Sequence, residues 1–198
     1  MIHHSLSVLR RLQAFLTKHF AGFTLLESLV AVTIITLSVA GPITAARSSL
    51  VSAYTARDRV TASYLAQEAV EYIRSVRDDA YLSNQNSGAW SAFLTAMDAC
   101  VSPGTCYVDP LTDTFGACGT SIPCDVWRTG SGNGMYHQGS HPSGFVATPF
   151  SRTVTVQSNE TGIMTIAATV RWKFRDGTTR SATFTDVLTD WQTPISTP

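Results

Sequence analysis

The stretch FTLLESLVAVTIITLSVAG, residues 23–41, is the longest apolar run of the chain and decides its organisation. As an α-helix its nineteen residues would span about 30 Å, the thickness of a bilayer core. Glu27 is the single charged residue within it. A carboxylate at that depth costs several kcal/mol unless it is neutralised or paired, and Glu27 is therefore a functional candidate.

The segment before the apolar run is basic. Residues 1–22 carry Arg10, Arg11 and Lys18 and no acid, which predicts that the N-terminus stays in the cytoplasm and the rest of the chain lies outside. No cleavage site of the usual secretory kind fits cleanly behind the run, where Val39-Ala40-Gly41 is a weak candidate. An uncleaved signal-anchor helix is the simplest interpretation, but it leaves Glu27 unexplained.

The overall composition sets limits on the rest of the chain. Its 198 residues support one domain plus an extension, and fourteen Lys and Arg balance fourteen Asp and Glu. Zero net charge gives no electrostatic footprint for nucleic acid. Four cysteines are too few for a disulfide-built mini-protein. These values exclude a disordered acidic chain, a basic nucleic-acid binder and a polytopic membrane protein.

Residues 22–31, GFTLLESLVA, resemble the N-terminal signature of type IV pilins and of the pseudopilins of type II secretion. In that family a basic leader ends in Gly, the mature chain starts with Phe, and a Glu stands at the fifth mature position. Gly22, Phe23 and Glu27 match these three positions, and residues 1–22 match the leader.

The resemblance implies how this segment is processed and assembled. A prepilin peptidase and N-methyltransferase would cut between Gly22 and Phe23 and methylate the new amine of Phe23. The Glu27 carboxylate would then pair with the Phe23 amine of a neighbouring pilin subunit, since each charge is costly alone in an apolar filament core. The other implied partners are the lipid bilayer before assembly and an inner-membrane pilus assembly platform. The mature protein would pass from the cytoplasmic membrane to a pilus at the cell surface.

A long helix is predicted to continue beyond residues 23–42. Pro42 follows Gly41 and should kink the helix, because proline removes a backbone hydrogen bond. Over residues 43–81 the apolar positions recur at helical spacings and charged residues fill the other face. The predicted helix has a membrane or filament-core first half and an amphipathic second half.

Residues 82–149 are predicted to be an irregular, variable region. It contains Cys100, Cys106, Cys118 and Cys124. Outside the membrane, local pairing of Cys100 with Cys106 and of Cys118 with Cys124 is the simplest of three connectivities. A four-cysteine zinc site or free thiols are the alternatives, although zinc modules favour shorter spacings.

Residues 150–192 change to a period of two and predict an antiparallel sheet, followed by a tail at 193–198. Alternation is clear over 152–157 and 163–174, and Asp176-Gly177 is a hairpin turn signal. The apolar face of such a sheet needs a partner, which the amphipathic helix supplies. The predicted fold is α+β and pilin-like, with a long N-terminal helix packed on a C-terminal antiparallel β-sheet.

Other chemistry has weak support. His137 and His141 are spaced as metal ligands on a helix, but the intervening residues favour two exposed loop histidines. Asp109, Asp113 and Asp125 fit no calcium-binding template. No catalytic motif is present. We therefore expect no metal, no cofactor and no enzymatic activity.

Two further stretches, residues 65–78 and the closing strands through 189–191, resemble minor pilins of the pilus-modification type. The resemblance implies a minor pilin, a structural subunit that enters or primes a type IV pilus. A pseudopilin of a type II secretion system is one alternative. A membrane-anchored extracytoplasmic enzyme or metal-binding domain, and an anchor protein that keeps its leader, are the others.

Overall fold

The computed structural model describes residues 24–83, 88–120, 123–130, 134–140, 143–158 and 162–191. Gly22, Phe23 and His141, like the leader, lie outside these residues. The described chain falls into two compact units, one up to Ser52 and one from Ala53 onward. We call residues 25–52 the anchor half of the first helix and the described residues from 53 to 191 the head.

Helix α1, Leu25–Ser83, runs through both units. Pro42 lies inside this helix, and the kink expected there stays a prediction. The side chains of the anchor half are exposed nearly throughout, with Leu25 92% exposed and Leu37 76%. This is the one helix of the described residues that is long and apolar enough to cross a membrane.

The head combines the second half of α1 with a seven-stranded antiparallel sheet, which confirms the predicted α+β fold. The strands are β1 (Cys106–Asp109), β2 (Thr114–Ala117), β3 (Asp125–Thr129), β4 (Tyr136–Gln138), β5 (Phe145–Ser158), β6 (Ile163–Lys173) and β7 (Thr179–Thr189). A short helix α2, Ala89–Ala96, and a 3₁₀ turn, Asp98–Cys100, precede them.

Strand β5 is the centre of the sheet. On one edge it pairs with β6, which pairs in turn with β7. On its other edge the first part of β5 pairs with β3, and Val154 lies opposite Cys106 of β1. The hairpin between β6 and β7 turns at the predicted Asp176-Gly177, where Gly177 has the positive φ of 82° that such a turn requires.

The core lies between one face of α1 and one face of the sheet. Small residues at helical spacing, among them Ala62, Ala66 and Ala69, are fully buried on the helix. The predicted inward positions of β5 and β6 are also buried, which confirms the alternation. They are Val154, Val156, Met164, Ile166, Ala168, Val170 and Trp172, and Phe174, just past the end of β6, is buried as well.

Residues 82–149 are more regular than the sequence indicates. Strands β1 to β4 lie within this region, and β5 begins at Phe145, before the expected start of the sheet at residue 150. These strands have only three to five residues and owe their form to pairing with each other and with β5. Such short strands carry too few alternating positions to show a period.

Arg152 is 1% exposed and lies in phase with Val154 and Val156 on the inward face of β5. Its Nε donates to Oε1 of Gln138 at 2.9 Å, and its Nη2 donates to the carbonyl oxygen of Val108. Its Nη1 donates to the carbonyl oxygen of Leu65 at 3.0 Å and to Oε2 of Glu68 at 2.7 Å. One guanidinium thereby joins α1, β1, β4 and β5.

Burial lowers the pKa of Arg152, while the attraction of Glu68 opposes that shift. Gln138 completes the network, since its amide nitrogen donates to the carbonyl oxygens of Cys124, at 2.8 Å, and of Arg152. The buried charge is therefore surrounded by acceptors.

Two tyrosines of α1 tie the helix to loops of the head. The hydroxyl of Tyr72 donates to Oδ1 of Asp113 at 3.0 Å, and that of Tyr81 donates to Oδ1 of Asp190 at 2.6 Å. Burial, followed by these hydrogen bonds to carboxylates, raises the pKa of both phenols above the ordinary value. Both therefore remain protonated donors over the physiological pH range.

We predict that Arg152→Ala lowers the free energy of unfolding by about 3–5 kcal/mol, because it leaves Glu68 and several carbonyl groups without their shared donor. Arg171→Ala, at an exposed position on β6, should change that free energy by less than about 0.5 kcal/mol. Denaturant unfolding of the full chain in detergent, followed by tryptophan fluorescence, measures both. Equal midpoints for the two variants would contradict the role given to Arg152.

Candidate assembly segment

The first turn of α1 is closed by Thr24. The Oγ1 of Thr24 accepts a hydrogen bond from the backbone N–H of Glu27 at 3.2 Å, and the helix begins at the next residue, Leu25. This is the N-cap arrangement, in which a hydroxyl satisfies a backbone donor that the helix leaves free. Thr24 and Glu27 also have the spacing of a capping box. This cap is a feature that the pattern Thr24-Leu-Leu-Glu27 could have predicted but that the apolar run and Glu27 alone did not reveal.

Glu27 lies in the first turn of α1, where the helix dipole favours a negative charge. No side chain in the described part of the chain pairs with its carboxylate, and its neighbours Leu26 and Leu29 are 74% and 64% exposed. The cap and the dipole act on the helix end of a single subunit. They leave the carboxylate itself open to a partner from outside the subunit.

Six hydroxyl groups of the anchor half form hydrogen bonds within the helix. Hydroxyls of the anchor half donate to backbone carbonyls three or four residues earlier, as Thr33 does to Val30 at 2.8 Å and Ser38 to Ile35 at 2.8 Å. Ser28, Thr36, Thr44 and Ser49 do the same. Such internal bonds let hydroxyl groups sit in an apolar medium. Glu27 is the one ionisable residue in 25–46, and the next ionisable residue along the chain is Arg47.

The four cysteines form two local disulfides in the structure. Cys100 bonds to Cys106, which starts β1, and their Cα atoms are 5.1 Å apart. Cys118, just after β2, bonds to Cys124, just before β3, with a Cα separation of 5.5 Å. Each bond closes a short loop at a strand end, and the described cysteines are not arranged as a zinc site.

The acidic and histidine candidates do not converge on a metal. Asp113 accepts the hydrogen bond of Tyr72, and Asp125 is exposed in β3. Asp109 is fully buried, accepts a hydrogen bond from Thr112, and has Oδ2 2.7 Å from Nδ1 of His137. Among the described residues no group of three or more His, Cys, Asp or Glu side chains could hold a metal ion.

His137 corrects one expectation. It was expected in an exposed loop, but it lies in β4 and is only 8% exposed. Its Nε2 is 3.1 Å from the carbonyl oxygen of Ser140, and its ring lies 5.1 Å from that of Phe145. Pairing of β4 with β3 places the histidine inside, and three residues of strand give no periodic signal from which to infer it.

We predict that Thr24→Val increases the amide exchange rate of the first turn of α1 about fivefold, as loss of a cap of about 1 kcal/mol implies. Thr24→Ser keeps the hydroxyl and should exchange like the unchanged chain. Hydrogen exchange with mass spectrometry, on the full chain in detergent, measures the rates over 25–30. The capping role would be wrong if both variants exchanged alike.

The comparisons with known proteins bear on this segment. Residues 17–41 match the family model described as the prokaryotic N-terminal methylation motif. No curated protein and no solved structure matches the chain. The match covers the end of the leader, the Gly22-Phe23 junction, Glu27 and the apolar run, and it implies processing by a prepilin peptidase and assembly with other pilins. This motif, on an apolar helix that continues into an antiparallel head, makes the N-terminal segment similar to those of type IV pilins and pseudopilins, and it supports that family for the chain.

Proposed function

We propose that this protein is a type IV minor pilin, a structural subunit that enters or primes a pilus filament. The observation that carries the proposal is the unpaired Glu27 carboxylate within an exposed apolar helix, inside the matched methylation motif. A partner for this charge has to come from outside the described chain. The choice of a minor rather than a major subunit rests on the resemblance of residues 65–78 and of the closing strands through 189–191, and on the large head of low charge.

Removal of the leader creates that partner. Hydrolysis of the Gly22-Phe23 peptide bond turns the nitrogen of Phe23 into a cationic amine, which N-methylation leaves charged. Phe23 and Glu27 are four residues apart, about one helical turn. Between subunits that are staggered along a filament, the amine of one and the carboxylate of another neutralise each other, and this favours one register.

The proposal places the protein in the cytoplasmic membrane before assembly, with its N-terminus inside and its head outside. An oxidising compartment suits the two disulfides of the head. The chain is then a substrate of the peptidase and a building element, without enzymatic activity of its own. Its partners are other pilin subunits, the peptidase and the assembly platform, and after assembly it lies in the pilus.

A pseudopilin of a type II secretion system remains the second candidate, because the methylation motif is common to both branches. Neighbouring genes for a secretin and a secretion ATPase would favour it, and a retraction ATPase would favour a pilus. An anchored metal-binding domain makes a different prediction, which is stoichiometric zinc with four reduced cysteines in the purified protein.

We predict that the mature protein lacks residues 1–22 and carries one methyl group on the amine of Phe23. Mass spectrometry of the N-terminal peptide from cells that contain the peptidase measures both changes. In a strain without the peptidase the chain should retain Met1 and the leader. An intact leader in peptidase-positive cells would overturn the proposal.

We predict that Glu27→Ala leaves the protein in the membrane but reduces its share of the sheared filament fraction at least tenfold. The apolar helix still inserts, whereas the Phe23 amine of the neighbour loses its counter-charge. Immunoblots of membrane and filament fractions measure the ratio. Ser28→Ala, one residue away, is the matched control and should assemble normally, and equal incorporation of both variants would contradict the pairing.

A further inference from the structure

A basic cleft of about 480 Å³ opens on the head between α1 and the strand ends. Arg57 of α1, Arg128 of β3, Lys173 at the end of β6 and Arg175 of the following turn line it. Asp58 is the one acid of its wall. The cleft thus holds four of the eleven basic residues beyond residue 22 and one of the fourteen acidic residues.

The positive charge of the cleft is not neutralised by the head. Asp58 is bound to Arg57, with Oδ1 and Nη2 3.0 Å apart. Arg128, Lys173 and Arg175 form no ion pair within the described residues. Clustered cations repel one another, so a surface of this kind is stabilised by an anion.

Tyr54 holds two of these cations in place. The guanidinium of Arg175 lies 4.5 Å from the centroid of its ring, and that of Arg57 lies 5.5 Å from it. Cation–π contacts of this kind fix the plane of a guanidinium without using its N–H donors. The donors of Arg175 therefore remain available for the oxygens of a phosphate or carboxylate group, whereas Arg57 uses Nε and Nη2 to bind Asp58.

An apolar groove of about 460 Å³ adjoins the cleft and shares two wall residues with it, Thr61 and Tyr136. Leu65 and Tyr64 line this groove, and Tyr64 is 68% exposed. The cleft and the groove therefore form one continuous surface, cationic at one end and aromatic at the other.

Two carboxylates mark the far side of the groove, and both are held by arginines. Oε2 of Glu68 is 2.7 Å from Nη1 of Arg152, and Oε1 of Glu71 is 2.7 Å from Nη1 of Arg74. The two carboxylates disfavour a ligand anion beside the groove, so the basic cleft is the favourable place for the anionic part of a ligand. The apolar part of the ligand would then lie toward Tyr64.

We propose that this surface binds single-stranded nucleic acid, with a phosphodiester in the basic cleft and an unpaired base stacked on Tyr64. A cationic groove combined with exposed aromatic rings is the arrangement that binds single strands without sequence preference. An inorganic anion would leave the tyrosines unused, and an uncharged apolar ligand would leave the cations unbalanced. A duplex keeps the faces of its bases stacked inside and could use the cleft alone.

The test is fluorescence anisotropy of a labelled thymidine oligomer of about twelve nucleotides with the full chain in neutral detergent at about 50 mM salt. We expect saturable binding that weakens as salt rises. Arg128→Ala/Lys173→Ala should weaken it and reduce the slope of log K against log salt by roughly 0.7 for each lost phosphate contact. Tyr64→Ala should weaken it about tenfold, within the range for one stacked base.

Matched probes and variants separate this proposal from its rivals. Arg171→Ala removes an exposed charge outside the cleft and should bind the oligomer like the unchanged chain. An abasic oligomer of equal length should bind more weakly, and Tyr64→Ala should not affect it. Equal affinity for the abasic strand, for inorganic polyphosphate or for a duplex would overturn the proposal, as would equal loss in Arg171→Ala. Circular dichroism confirms that each variant is folded.

This inference is independent of the proposed filament role. A chain that binds the oligomer but keeps its leader would contradict the minor pilin proposal alone. A chain that is processed and assembled but shows no binding at about 50 mM salt would contradict the nucleic-acid proposal alone.

Discussion

The structure depends on the apolar surface of residues 25–52, which the other described residues of the subunit do not cover. The side chains of 25–52 are exposed almost without exception, and at about 25 cal/mol per Å² of apolar area their exposure to water is prohibitive. Lipid or neighbouring subunits have to enclose this helix, and either medium makes an isolated carboxylate costly. In either medium Glu27 is stable only where it is neutralised or paired with a counter-charge. The chemistry of one side chain thereby restricts both where the subunit can reside and which neighbours it can accept.

The head, in contrast, is stabilised by contacts among its own residues. A helix with buried alanines packs on the alternating faces of β5 and β6, and Arg152 connects this helix to strands that come from distant parts of the sequence. A fully buried guanidinium is stable only where acceptors surround it, and the carbonyl groups of Leu65 and Val108 meet that need. The two disulfides limit the freedom of short loops beside β1 and β3. Strands β1 and β3, which pair with β5, are thereby held in the sheet, and they carry β2 and β4 with them.

Much of this fold is visible in the sequence, where a signal repeats over many residues. The apolar run, the helical period of 43–81 and the alternation in β6 each extend over ten residues or more and predict their elements. The alternation also predicts the buried face of β6, whereas Leu50, Val60 and Tyr64, expected on the packed face of α1, are exposed. Short strands such as β4 give no such signal, so the sequence predicts a loop at His137. Arg152 did have a sequence signal, since it stands in phase with Val154 and Val156. The net charge of zero gives no indication of the basic cleft, because the local charge of a surface depends on which residues, far apart in sequence, the fold brings together.

The hydrogen bonds of its hydroxyls allow the anchor half to lie either in lipid or among other helices. The hydroxyls of Thr33, Thr36 and Ser38 each donate to a carbonyl oxygen of their own helix, so they need no hydrogen-bond acceptor from the surrounding medium. When the segment leaves hydrocarbon tails and enters a bundle of like helices, these groups exchange no bond partners and contribute almost nothing to the energy of the transfer. The hydrogen bonds of these hydroxyls therefore do not oppose a transfer of the helix between the two media, whereas the charge of Glu27 does.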